Sequence, residues 1–505
     1  MTPGMQIRLW YRRASARERQ ITGVAFASVV VLLIASIVVR PSSEGLNQFV
    51  AGSTSNDGAT ATGGAIGSVE TAAAGGTAVK GGGDQRGAGG ASTSGPTTGD
   101  QSQGSVSRTA SDRGVTPDAV KLGVFVINVA GLSAVVDVSG RTDAAEYAQA
   151  LADSVNKSGG INGRRVDIAV RKTDLTSQSD QAAACQYMVN DAKVFGVVDV
   201  GALTDTPAFE CVATKNQTPY LHNTIWSTDW LARSGGMEVG YQAAIDRISK
   251  TWSRDLSAMG WIGENAVIGI LGDNCPATGP IIDNVLKPDF EKLPGVTKVV
   301  VAKHDCDPQS VASQPPSFVT QFMLARVTHV VVAMNFVSFT AFASTAESQQ
   351  YRPKYTVSDW WQASADAPAE NFDPNQFDGA IGISSLGMML PASGKAPYPG
   401  GEWCQKVAAD AGLEPLEYNG RNHELWAMCD NFLLMIDGIR NAGANPTRAA
   451  WAQAIQALGS HPSVLFGPST LGPGKVTGSD QVHTLQWQRD CTCFKSISEF
   501  RPAAA

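Results

Sequence analysis

The sequence predicts an α/β protein, two lobes of alternating strands and helices preceded by one membrane-spanning helix and a disordered linker. Three observations carry this. Residues 21–39 form an uncharged apolar run. Residues 40–115 are rich in Gly, Ala, Ser and Thr, with no aromatic residue after Phe49. From Val115 onward, short β-branched runs alternate with longer helical stripes. At roughly 100–200 residues per domain, a chain of 505 residues allows about three domains.

The charge is unevenly spread. The net charge is −7, with +5 in residues 1–40 and −2 in residues 41–114, leaving −10 for the remainder. Nucleic-acid binding rests on phosphate neutralisation by clustered Lys and Arg, so an acidic folded part excludes DNA and RNA as partners. The basic excess sits in the head. Arg8, Arg12, Arg13, Arg17 and Arg19 precede Ile21–Val39, which spans about 28 Å as a helix, enough for a bilayer. The positive-inside rule keeps residues 1–20 cytoplasmic and exports the rest. A cleaved signal peptide is the rival reading, but Val38, Val39, Arg40 and Pro41 make a poor cleavage site. The first cysteine is Cys185, so no thiol is available for lipidation near the membrane. Residues 40–115 cannot bury enough apolar surface to offset their ordering entropy and are expected to be disordered.

Beyond the linker the rhythm is βαβ. Strands are predicted at 120–128, 165–174, 194–201 and 219–223, separated by helices at 141–157, 178–191 and 207–217. A long helix at 239–259 interrupts, and a second series follows. Its strands are at 266–273, 296–304, 329–335, 353–359 and 378–384, with helices at 279–292, 317–325 and 336–349. Helices at 401–411, 424–442 and 447–458 come next, and 482–488 and 494–500 close the chain as antiparallel edges. Alternation of this kind gives parallel sheets covered by helices.

Catalytic signatures are missing. Gly382-Ile-Ser-Ser-Leu-Gly387 has the wrong spacing for a nucleophile elbow, and His423-Glu424 lacks the second His of a zinc helix. No P-loop or dinucleotide fingerprint occurs, and neither an enzymatic activity nor a cofactor or metal is expected. In open α/β sheets ligands bind beyond the carboxyl ends of the strands. That rule selects Thr204, Asp205 and Thr206 after the third strand, and Asn223, Thr224 and Trp226 after the fourth. In the second series it selects Asp273, Asn335, Phe336, Asp359, Trp360 and Trp361. Asp273 or Asp359 is suited to an ammonium group, and Trp226, Trp360 or Trp361 to an apolar or cationic one. His222 also falls at a strand end, where it reads as a hydrogen-bonded loop residue.

The run Val-Lys-Leu-Gly-Val-Phe-Val-Ile-Asn at 120–128, the helix after it, and Asn156-Lys-Ser-Gly-Gly-Ile-Asn-Gly-Arg-Arg-Val-Asp-Ile168 resemble the opening of the type I periplasmic solute-binding proteins. These are the branched-chain amino acid (leucine/isoleucine/valine) binding components of ABC transporters. The resemblance implies two doubly wound, Rossmann-like lobes joined by three crossings, closing on a small ligand like a hinge. It places lobe 1 at 116–235 plus about 362–450 and lobe 2 at 236–361 plus about 451–500. It further implies that the loops after the third and fourth strands hold a ligand carboxylate.

Eight cysteines in an exported domain argue for disulfides, with 105 connectivities open. Neighbour pairing is simplest. Some amino-acid-binding relatives carry a bridge where Cys185 and Cys211 stand. Cys275 and Cys306 follow consecutive strands, Cys404 and Cys429 lie on two helices, and Cys491-Thr-Cys493 either closes on itself or is a redox or metal pair. The resulting expectation is a membrane-tethered, extracytoplasmic solute-binding protein. It captures a small polar organic ligand, an amino acid or amide, for ABC permease subunits. The alternatives are a receptor subunit with a separate signalling partner, or an exported adhesion or scaffold protein.

Overall fold

A continuous apolar run at Ala119–Ile127 forms β1, the strand from which the first sheet grows on both sides. The structure is a computed structural model describing residues 107–128, 141–175, 177–204, 206–223, 226–365, 369–387, 398–418 and 422–504. Around β1 lie β2 (Arg165–Thr173), β3 (Gly196–Asp199), β4 (Tyr220–Leu221) and β5 (Glu238–Val239), in the order β2-β1-β3-β4-β5. All pairs are parallel. Helix α1 (Ala144–Lys157) buries Ala144, Tyr147, Ala148, Leu151, Ala152 and Val155, one stripe of a 3.6-residue period. The turn after it needs glycine. Gly160 has φ +74°, and a Cβ there would lie 2.0 Å from the Arg164 carbonyl oxygen.

The second sheet repeats the plan. β6 (Ala266–Asp273), β7 (Val296–His304), β8 (His329–Val332), β9 (Lys354–Ser358) and β10 (Ile381–Ser384) are parallel in the order β7-β6-β8-β9-β10. Beyond β10 the sheet continues antiparallel with β11 (Gln481–Gln488), β12 (Cys493–Ser496) and β13 (Arg501–Pro502). The 2-1-3-4-5 order therefore occurs twice, each time with its reversal beside the first strand.

Sheet membership corrects the expected boundaries. β5 belongs to the first sheet, so the chain leaves lobe 1 after Val239 rather than near residue 235. The predicted helix at 239–259 begins only at Ile245, as α3 (Ile245–Ala258). β10 pairs with β9, so the chain is still in lobe 2 at residue 384 and does not return at 362. Helices α5 (Gly401–Asp410) and α6 (His423–Asn441) pack with α1 in lobe 1. α7 (Arg448–Gln456) packs on α6, which moves the last crossing beyond residue 450.

The linker expectation also ends too late. Residues 107–115 pack on lobe 1. Asp112 pairs with Arg448 at 3.0 Å, the Thr109 amide donates to Asn445 Oδ1 at 2.8 Å, and Ser111 Oγ donates to the Pro446 carbonyl at 2.6 Å. Composition misses this because hydrogen bonds and the single buried Val115, rather than an apolar run, hold the segment. Residues 1–106, including the proposed span Ile21–Val39, lie outside the described residues. Among the described residues no helix is long and apolar enough to cross a membrane.

All four neighbour disulfides are formed, Cys185–Cys211, Cys275–Cys306, Cys404–Cys429 and Cys491–Cys493. Arg164 fastens the N-terminal segment beneath the sheet. Its buried guanidinium donates to the Thr116 carbonyl at 2.7 Å, the Thr109 carbonyl at 3.0 Å, Asn445 Oδ1 at 3.1 Å, and the Ala444 carbonyl. Arg164→Ala is expected to lower the unfolding free energy in urea by about 3 kcal/mol. Arg165→Ala, which loses only a solvent-exposed pair with Asp167, should leave the urea midpoint close to that of the native chain. Equal losses from the two variants would refute this account of the segment.

Candidate functional site

Doubly wound sheets bind ligands where the strand order reverses, outside the carboxyl ends of the strands. In lobe 1 that place is ringed by the ends of β1, β3 and β4. The β3 loop is shaped by Asp199, whose buried carboxylate accepts from the amides of Gly201 at 3.0 Å and Ala202 at 2.7 Å and from the Tyr220 hydroxyl. Burial raises its pKa. Thr204 is half-buried and bound to Gln181 of helix α2 (Gln178–Gln186), its amide donating to Oε1 at 2.7 Å. Thr206 is buried at the start of the next helix. Asp205 and Thr224 lie outside the described residues.

The β4 loop is largely enclosed. Asn223 Oδ1 accepts from Asn431 Nδ2 of α6 at 2.9 Å. His222 stacks on Tyr220 and lies 3.0 Å from Glu238 Oε1, with both partners 1% exposed, so it is a packing residue. Trp226 turns its ring edge-on to Phe209, with centroids 4.8 Å apart, and to Trp361 of lobe 2 at 5.6 Å.

In lobe 2 the two candidate carboxylates are already occupied. Asp273 is buried and accepts from Trp361 Nε1 at 2.9 Å, the Cys275 amide at 3.0 Å and the Thr278 hydroxyl. Burial pushes its pKa up. Asp359 is fully buried and accepts from Ser364 Oγ and the Ser385 amide, each at 2.6 Å, and from the Ser384 and Ser385 hydroxyls. Asp359 thereby ties the end of β9 to the end of β10. Asn335 caps helix α4 (Phe336–Ser348), accepting from the Ser338 amide at 3.0 Å, and Phe336 is half-buried in its first turn.

The two tryptophans after β9 part company. Trp360 is fully buried in the lobe 2 core and offers no surface to a ligand. Trp361 has φ +50°, a left-handed conformation that bulky residues rarely adopt. The Asp273 hydrogen bond holds it there against Trp226. The structure thus brings Trp226, Asp273 and Trp361 together across the lobes.

The profile of the family described as Periplasmic binding protein matches residues 120–492. The chain belongs to this family. It is a solute-binding protein. No curated protein matches the sequence. Among solved structures, a fatty acid ABC transporter substrate-binding protein from Thermomonospora curvata is 14% identical with a TM-score of 0.60, covering 78% of this chain and 95% of that one. A solute-binding protein of an ABC transporter from R. palustris, in complex with 4-hydroxybenzoate, is 14% identical with a TM-score of 0.58, covering 77% and 98%. A leucine-binding protein from Thermotoga maritima is 11% identical with a TM-score of 0.57, covering 76% and 99%.

This periplasmic binding protein also has cleft-side residues that sequence reasoning missed. Gln181 and Asn431 orient the β3 and β4 loops from neighbouring helices. Glu424 opens α6 beside the end of β1. Burial raises its pKa to about 7, the charges of Asp199 and Asp143 add to the rise, and a backbone hydrogen bond from Ile127 opposes it. The only sequence signal at Glu424 was half of a zinc motif. Among the described residues no cluster of His, Cys, Asp and Glu could hold a metal ion.

The raised pKa makes the folded state bind more protons than the unfolded chain between the unfolded value near 4.5 and about 7. Stability should therefore fall as pH rises through that window. Glu424→Gln is expected to flatten this slope, gaining about 1–2 kcal/mol over the native chain at pH 8 but not at pH 4, as read from urea midpoints. Parallel pH profiles would show that Glu424 titrates normally.

Proposed function

We propose that this protein captures a small organic solute between its lobes and passes it to an ABC permease, with residues 21–39 holding it in the membrane and the folded domain outside. In this reading it catalyses no reaction. The observation that carries it is the pairing of two strand-order reversals across one hinge, with Trp226 and Trp361 meeting between them. The half-buried Trp361 ring, packed against the buried Trp226, supplies apolar area to a ligand between the lobes.

A leucine-binding protein is among the fold's neighbours, so an amino acid remains one solute class, but the carboxylates expected to hold its ammonium group are engaged here. An ammonium group moved out of water requires a carboxylate or several carbonyls. Among the described residues the two candidate carboxylates, Asp273 and Asp359, are each engaged by several donors. The solute in this proposal has an apolar or aromatic body and no ammonium group. Relatives of the fold that bind fatty acid and 4-hydroxybenzoate, by their descriptions, are consistent with such a body.

A thermal-shift comparison of 4-hydroxybenzoate, octanoate, L-leucine and L-glutamine tests the proposal. A solute at 100 times its Kd should add about 2.7 kcal/mol of stability. Stabilisation by the first two is expected, with a change in tryptophan fluorescence that Trp361→Phe reduces. Stabilisation by the amino acids alone would refute the ligand class. Mass spectrometry of the membrane-extracted protein should find the N-terminus intact, and a chain starting near Ser42 would refute the anchor.

A further inference from the structure

The first crossing between the lobes contains a small pocket that shares Trp226 with the proposed solute site. His222, Trp226, Gly240, Gln242, Ala244 and Thr477 line a cavity of about 10 Å³. Gln242 is 3% exposed, and among the described residues neither its Oε1 nor its Nε2 has a hydrogen-bond partner. Trp226, 1% exposed, likewise leaves Nε1 without one. Two residues lining one small cavity thus hold three unpartnered buried polar atoms, which are costly unless something satisfies them.

Their chemistry defines the occupant. Gln242 Nε2 and Trp226 Nε1 donate, and Gln242 Oε1 accepts. The occupant must both accept and donate. A carboxylate has no proton for Oε1, and an ammonium has no lone pair for the two N–H groups. Neighbouring charges do not call for an ion, because His222 faces Glu238 at 3.0 Å and Arg247 is bound to the Ser479 carbonyl at 3.2 Å and the Ala504 carbonyl at 3.1 Å. A volume of about 10 Å³ admits one water-sized group.

We propose that this cavity binds one neutral hydroxylic oxygen, either water or the terminal hydroxyl of the captured solute. The second source rests on the proposed function; the first does not. Gln242 lies on the crossing and the Trp226 ring meets Trp361, so the bound oxygen fastens the hinge to the residues that close over the solute.

The sign of a stability change tests the site in the full chain. Gln242→Met keeps the volume and removes both amide atoms. If the oxygen is bound, this variant and Trp226→Phe each lower Tm, and the double variant loses less than the sum because both share one partner. If nothing binds, removing an unpartnered buried amide leaves Tm unchanged or raises it, which would overturn the proposal. High-resolution structures of the full chain separate the two sources. Isolated density within hydrogen-bond distance of Gln242 and Trp226 after unfolding and refolding identifies water. Density continuous with a larger molecule, seen only before that treatment, identifies a solute hydroxyl. No density in either preparation overturns the site. Water in the site with no stabilisation by any of the four solutes would leave the site standing and remove the proposed ligand class.

Discussion

The relation between the lobes depends on a short parallel ribbon formed by two of the crossings. The Gly240 amide donates to the Val476 carbonyl at 3.0 Å, the Gly478 amide to the Gly240 carbonyl at 2.9 Å, and the Ser479 amide to the Tyr241 carbonyl at 2.6 Å. A single crossing would swivel about its backbone dihedrals; two paired crossings bend about a shared axis. Lobe 1 grips the ribbon through α6. Asp430 accepts from the Val464 amide at 2.9 Å and from the Ser463 hydroxyl, and His461 links Tyr241 at 2.7 Å to Asp437 at 3.2 Å. The packing of Trp226 on Trp361 follows from where this ribbon holds the two sheets.

Around the cleft the carboxylates face inward and the aromatic rings face each other. Asp199, Asp273 and Asp359 each close a strand-end loop by collecting amides and hydroxyls, which costs each of them its freedom to meet a ligand charge. The same inward bonding fixes the loops, so the Trp361 ring, packed against the buried Trp226, is held in place before a ligand arrives. Trp361 shows the trade most clearly, because its left-handed backbone persists through the bond to Asp273.

Local signals account for most of what the sequence revealed. The strand runs of β1 and β6, the α1 stripe and the Gly-Gly-Ile-Asn-Gly turn each act within one element, and each was legible. Trp226 and Trp361 were legible as strand-end residues because the sheet rule needs only chain order. The misses required partners distant in sequence. Asp359 looked available until Ser384 and Ser385 came in from β10, and Trp360 was a ligand candidate until the second core closed around it. Gln242 carried no signal, since its segment read as the start of a helix. The packed segment 107–115 was hidden because its partners, Asn445, Pro446 and Arg448, lie more than three hundred residues away.

That segment decides where mechanical load enters the domain. Residue 107 joins the lobe beside Gly163, Arg164 and Asn445, at the edge where β1 and β2 begin, whereas the cleft lies past the edge where they end. A pull along the preceding chain would be borne in shear by the Arg164 and Asp112–Arg448 contacts and dissipated at the base of one lobe. None of these contacts involves the hinge ribbon, so the base of the lobe and its hinge are held by separate sets of hydrogen bonds.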